Sequence, residues 1–214
     1  MAQIRDDEHI FIAGMTGCGK TKLAEVYTAG MEQVIKLDTK QEYESKREEG
    51  EEPWHGLEEG VDYEVCYSLE QVFNSQFEKI IYQIPWQEQD EKFYNELFEW
   101  CFHNGHIRVW VDELMTICPN AHSIPKWLKA IYTAGRSRHC SVIACTQRPT
   151  GIPLISIANS THYFCFALPH PADRKRMADI TGCLELYEAP EQYVFWYFKQ
   201  GMMSDDARQG TLHL

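Results

Sequence analysis

Long apolar runs are missing from this 214-residue chain. None approaches the ~20 residues that cross a bilayer, so no transmembrane segment is expected. The opening stretch, MAQIRDDEHI, is too acidic for a secretory leader, and a soluble intracellular protein is the expectation. No Cys-x-x-Cys pair occurs among the eight cysteines. Several lie inside apolar runs, as in SVIACTQ and YFCFAL, so reduced, buried thiols are expected rather than disulfides or a zinc site. The nine histidines show no metal-ligand spacing. Basic charge is scarce as well: 20 Lys and Arg stand against 32 Asp and Glu, net −12. That excludes a generally basic, nucleic-acid-coating surface. Repeats, low-complexity tracts and Pro/Ser-rich linkers are absent, so residues 1–214 read as one domain with its core over 9–180. A chain of this length can bury roughly 70% of its unfolded surface without staples.

What the chain does contain starts at once. Gly14 to Thr21 reads G-M-T-G-C-G-K-T, an unbroken match to the Walker A pattern G-x-x-x-x-G-K-[ST]. An apolar run, Ile10 to Ala13, precedes it and a helix-forming run follows, the strand–loop–helix context the motif requires. Glycines let successive backbone N–H groups converge on phosphate oxygens at a helix N-terminus. The expected nucleotide contacts are Gly14, Thr16, Gly17, Cys18, Gly19, Lys20 and Thr21. Lys20 is placed to neutralise the β- and γ-phosphates, and the Thr21 hydroxyl to ligate Mg²⁺. ATP and Mg²⁺ are the expected cofactors.

Two further segments complete a site. In IRVWVDEL, four apolar residues lead to Asp112 and Glu113, the Walker B pattern. Asp112 is expected on the metal, and Glu113, one residue on and facing the other way, as the group that polarises an attacking water. In SVIACTQRP another apolar strand ends at Gln147. If it inserts between the two Walker strands, its amide lies at the γ-phosphate edge. Strand candidates recur at 9–13, 33–37, 63–67, 79–84, 106–111, 140–146 and 161–167. Helical patterns cover 90–103, 124–135 and 171–179, which argues for a mostly parallel α/β sheet covered on both faces. QYVFWYFKQG and GTLHL read as a closing hairpin within 190–214.

GMTGCGKT, VWVDE and GRSRHCSVIACTQRP together resemble the FtsK/HerA superfamily of DNA-pumping ATPases, over residues 9 to about 180. The resemblance implies a RecA-like core of the additional-strand, catalytic-Glu class, with the Gln-bearing strand between the Walker strands. It implies double-stranded DNA as cargo and a homo-oligomeric ring, usually hexameric. It also implies an arginine ahead of the Gln-bearing strand that reaches into the neighbouring subunit's site. Arg136 fits best and Arg138 is the reserve; the bland alternative is a surface residue at a helix end. Eight residues before the first strand make the chain look like the free-standing genome-packaging ATPases of membrane-containing icosahedral viruses. These would act in the host cytoplasm or at the virion packaging vertex, beside capsid-vertex or membrane proteins.

Two other classes fit parts of the sequence. A small-molecule or nucleoside kinase also begins on a Walker A strand, and the run Arg174–Arg176 imitates an arginine-rich lid. A nucleotide-switched assembly or secretion subunit would bind ATP without DNA cargo. For a DNA channel the basic candidates are Lys126, Lys129, Arg148, Arg174, Lys175 and Arg176. Residues 41–64 hold ten acids against two bases and are expected to be a solvated surface excursion, or else a docking or DNA-repelling face.

Overall fold

The structure is a computed structural model that describes residues 4–201 and 207–213. In chain order the first half contains β1 (Ile10–Ala13), α1 (Lys20–Ala29), β2 (Val34–Asp38), α2 (Glu42–Glu48), β3 (Glu64–Cys66), α3 (Leu69–Asn74) and β4 (Lys79–Gln83). Next come α4 (Glu91–Asn104), β5 (Arg108–Val111), α5 (Leu114–Ile117), α6 (Lys126–Ala134) and β6 (Ser141–Thr146). The chain closes with α7 (Leu154–Ala158), β7 (His162–Cys165), α8 (Pro171–Thr181), β8 (Val194–Lys199) and β9 (Arg208–Thr211). All seven strand candidates appear within a residue or two of their expected bounds.

The strands form one nine-stranded sheet in the order β3-β4-β2-β5-β6-β1-β7-β8-β9. Every pairing from β3 across to β7 is parallel. β8 runs antiparallel to both β7 and β9, giving the expected C-terminal hairpin, although residues 202–206 between its strands lie outside the described residues. The Gln147-bearing strand β6 lies between β5 and β1, with Ala13 opposite Thr146 and Val111 opposite Ala144.

The central strands are buried on both faces, which is why they read as unbroken apolar runs rather than alternations. Phe11, Val109, Val111 and Val142 point to one core, shared with Leu97 and Phe98 of α4 and Leu128 and Ile131 of α6. Ile10, Ile12, Trp110 and Ile143 point to the other, under Leu23 and Ala24 of α1. Helix α4 begins where the Asp90 side chain accepts from the Phe93 N–H at 2.8 Å and stops at Gly105, φ 68°; both ends are local signals.

The acidic segment 41–64 behaves as a solvated excursion only in its charges. Its aromatics Tyr43, Trp54 and Tyr63 are buried and join the second core, with Trp54 edge-on to Trp110 at 5.8 Å between ring centroids. Trp54 Nε1 donates to Thr28 Oγ1 at 3.0 Å. The buried Lys36 ammonium donates to the Pro53 carbonyl at 2.7 Å and sits 4.4 Å from the centre of the Trp110 ring. Burial pulls the Lys36 pKa down, against the attraction of Glu25. Acidic composition thus conceals a cover for one face of the sheet.

Candidate nucleotide site

In a parallel sheet the carboxyl ends of the strands share one edge, and ligands collect there. At this edge the loops after β1, β2, β5, β6 and β7 come together. The loop 14–19 passes from β1 into α1 with Gly17 at φ 73° and Gly19 at φ 104°, values that side-chain-bearing residues rarely adopt. At Gly14 a Cβ would lie 2.6 Å from both Cys18 Sγ and Phe166 Cβ, so the loop needs glycine there for space. Cys18 is buried, and burial raises its thiol pKa.

The expected site residues are brought together across three strands. Thr21 Oγ1 donates to Asp112 Oδ1 at 2.9 Å, joining the start of α1 to the end of β5. Thr16 Oγ1 donates to Gln147 Oε1 at 2.9 Å, joining the loop to the end of β6. Lys20 Nζ folds back to donate to the Met15 carbonyl at 2.8 Å. Glu113 caps α5, its Oε1 accepting from the Met115 N–H over a long 3.4 Å.

Electrostatics separate the adjacent carboxylates. Burial alone would raise the Asp112 carboxyl, but the ammonium groups of Lys40 and Lys36 and the hydrogen bonds from Lys40 and Thr21 outweigh it, and its pKa is lowered. Burial dominates at Glu113 and raises its pKa, despite the Met115 N–H and the charges of Lys40 and Lys20. One carboxylate is held ionised, and its neighbour is made more basic. A hydroxyl and an ionised carboxylate side by side are hard oxygen ligands of the kind Mg²⁺ takes beside a nucleotide's phosphates. The residues present fit that ion.

Lys40 is the member that sequence reasoning missed. Its ammonium sits 3.1 Å from Asp112 Oδ2 and 3.6 Å from Glu42. Asp38, at the end of β2, sets it there by accepting from the N–H groups of Glu42 and Tyr43 at 2.9 and 3.0 Å. That caps α2 and turns the chain through Gln41, φ 57°. The only available signal was a lysine just beyond a buried strand, and its meaning depends on β2 pairing with β5.

Arg136 lies elsewhere. It precedes β6, at the opposite edge from Gln147, and six residues of strand separate those edges by roughly 20 Å. Its side chain is 74% exposed, with Nε 3.1 Å from Asp7 Oδ2. Arg138 is also exposed, over the Phe102 ring. The run Arg174–Arg176 does not form a lid. Arg174 donates to the carbonyls of Leu168, Pro169 and Tyr187, Arg176 donates to that of Ile152, and Lys175 pairs with Asp179. Arg148 is bound at 2.8 Å to the buried Asp173, which also accepts from Thr150. Lys126 and Lys129 face solvent on α6.

No family model and no curated protein matches the chain. Solved structures do. The genome packaging NTPase B204 from Sulfolobus turreted icosahedral virus 2, in complex with sulfate, superposes with a TM-score of 0.75 at 15% identity, covering 99% of each chain. B204 from Sulfolobus Turreted Icosahedral Virus, described as the DNA-packaging ATPase, gives 0.72 at 16% identity over 98% of this chain and 100% of that one. The conjugation coupling protein TcpA of pCW3, with ATPγS, gives 0.60 at 13% identity over 96% of this chain and 60% of that one. With β6, the Gln147-bearing strand, between β5 and β1, the chain shares the fold of these neighbours.

Proposed function

We propose that the protein is a Mg²⁺-dependent ATPase that translocates double-stranded DNA, as a homo-oligomeric ring serving viral genome packaging. The observation that carries the reading is the convergence of Thr21 with Asp112 and of Thr16 with Gln147 around one loop. The neighbours, a DNA-packaging ATPase and a conjugation coupling protein, suggest the cargo class. Lys20 and the loop N–H groups hold the phosphates. Thr21 and Asp112 would hold Mg²⁺, which would offset the charge of the phosphates. Glu113 takes the proton of the attacking water. Gln147 reads the γ-phosphate and passes its state to the Arg148 loop, which Asp173 ties to α8. Against the kinase reading, Arg174 and Arg176 each donate to backbone carbonyls of their own subunit rather than standing free as a lid's arginines would.

The test is the steady-state ATPase rate with and without linear duplex DNA, at low salt and across protein concentration. A motor that completes its sites between subunits speeds up with both, and its DNA stimulation fades as salt rises. A rate flat in both, with turnover only on adding small phosphate acceptors, would move the assignment to a kinase.

Lys40 gives a second check. Its ammonium competes with the metal for the Asp112 carboxylate. For a lysine one-third exposed, such a pair contributes on the order of 1 kcal/mol. In Lys40→Met, the gain in affinity for a fluorescent ATP analogue on adding Mg²⁺ is expected to grow about 3- to 10-fold. An unchanged gain would show that the contact does not oppose the metal.

A further inference from the structure

The edge of the sheet opposite the nucleotide loop carries a second cluster of metal-ligating side chains. His106 stands two residues before β5 and His139 two residues before β6. The register pairs Arg108 with Ser141, so the two histidines continue the same ladder alignment just outside the sheet. Their imidazoles stack face to face, 4.7 Å between centroids and 5° between planes. Asp6, from the segment leading into β1, brings a carboxylate to the pair, with Oδ2 3.7 Å from His139 Nδ1. One ligand atom from each of the three lies within 4.8 Å of the others. Two donors bound tetrahedrally to one Zn²⁺ at ~2.0–2.1 Å stand about 3.4 Å apart, and an ion lies in the plane of each imidazole it binds, so metal binding turns the stacked rings toward each other about their side-chain bonds.

The backbone holds these groups in place. His106 and His139 have φ of 54° and 52°, a left-handed conformation that costs energy for a residue with a side chain. The His106 N–H donates to the Arg138 carbonyl at 2.9 Å. The loops approach so closely that a Cβ on Gly105 would lie 2.5 Å from that same oxygen. The two strained histidines are thus fixed side by side before any ion arrives.

We propose that Asp6, His106 and His139 form a site for a borderline-soft transition-metal dication of the Zn²⁺ class, with a fourth position open to solvent. Two imidazoles and a carboxylate select such ions over Mg²⁺. The Arg108 guanidinium, 3.6 Å from Asp6 Oδ2, competes for the carboxylate and keeps affinity in the micromolar range. Because Asp7 holds Arg136, an ion on Asp6 clamps the N-terminal segment beside that arginine. The site stands independently of the reading of the nucleotide edge.

The test is titration of the full chain with Zn²⁺ by calorimetry and with Co²⁺ by visible absorption, in excess Mg²⁺ so that the nucleotide edge is filled. The informative variants are His106→Asn, His139→Asn and Asp6→Asn, because asparagine tolerates the left-handed conformation and leaves the loops intact. Melting in chelator checks that each variant is folded. One equivalent is expected to bind with micromolar Kd, to raise the melting temperature, and to weaken at least tenfold in each variant. Wild-type affinity in the histidine variants, or no binding below about 1 mM, would overturn the site.

Discussion

Glu113→Gln is expected to bind ATP as tightly as the parent protein and to hydrolyse it about 10²–10⁴ times more slowly, the usual range for losing a positioned general base. Glu113 is the residue after Asp112, so its side chain leaves the strand in the opposite sense, away from the carboxylate that Thr21 and Lys40 occupy. The hydrogen bond it accepts from the Met115 N–H is long at 3.4 Å. An amide oxygen can replace that acceptor, so the variant keeps the α5 cap and the fold. Burial makes the carboxylate more basic than usual, which suits a group that must take a proton near neutral pH. Nucleotide affinity by fluorescence and single-turnover hydrolysis separate binding from chemistry. Hydrolysis at the parent rate would remove Glu113 from the role.

The parts of this fold visible in the sequence are those whose signal is local. Buried parallel strands are contiguous apolar runs, and α4 carries Asp90 ahead of its apolar stripe and Gly105 behind it. The phosphate loop is legible because its glycines, lysine and threonine must be consecutive. The order of the strands is not local: that β6 lies between β5 and β1 came from resemblance, not from periodicity. Lys40 escaped for the same reason, since its partner Asp112 is 72 residues away on a strand whose pairing composition does not reveal. The helices α2, α5 and α7 are too short to show a period and exist through caps and packing. Tyr43, Trp54 and Tyr63 follow no repeat and are outnumbered by acids, so charge concealed an aromatic cover. His106 and His139 are separated by 33 positions in the sequence and meet because β5 and β6 share a register.

Arg136→Ala is expected to lower ATP turnover about 10³–10⁵-fold while leaving nucleotide affinity within severalfold, the range found when an arginine finger is removed from other phosphoryl-transfer enzymes. The structure limits how that can work. Arg136 and Gln147 sit at opposite ends of β6, roughly 20 Å apart, so the guanidinium cannot reach its own subunit's phosphate loop. If it acts on ATP, it acts on a neighbour's. The ion pair to Asp7 does not prevent this, because at 74% exposure it contributes about 1 kcal/mol or less. Mixing decides the matter. Arg136→Ala subunits keep Glu113 and lack the finger, and Glu113→Gln subunits keep the finger and lack the base. Each preparation alone is expected to be nearly inactive, whereas a mixture forms interfaces that combine an intact site with an intact arginine and recovers a measurable fraction of turnover. No recovery in mixed rings verified by co-purification would exclude trans action by Arg136. The same pairing with Arg138→Ala would then show whether the neighbouring arginine holds the role.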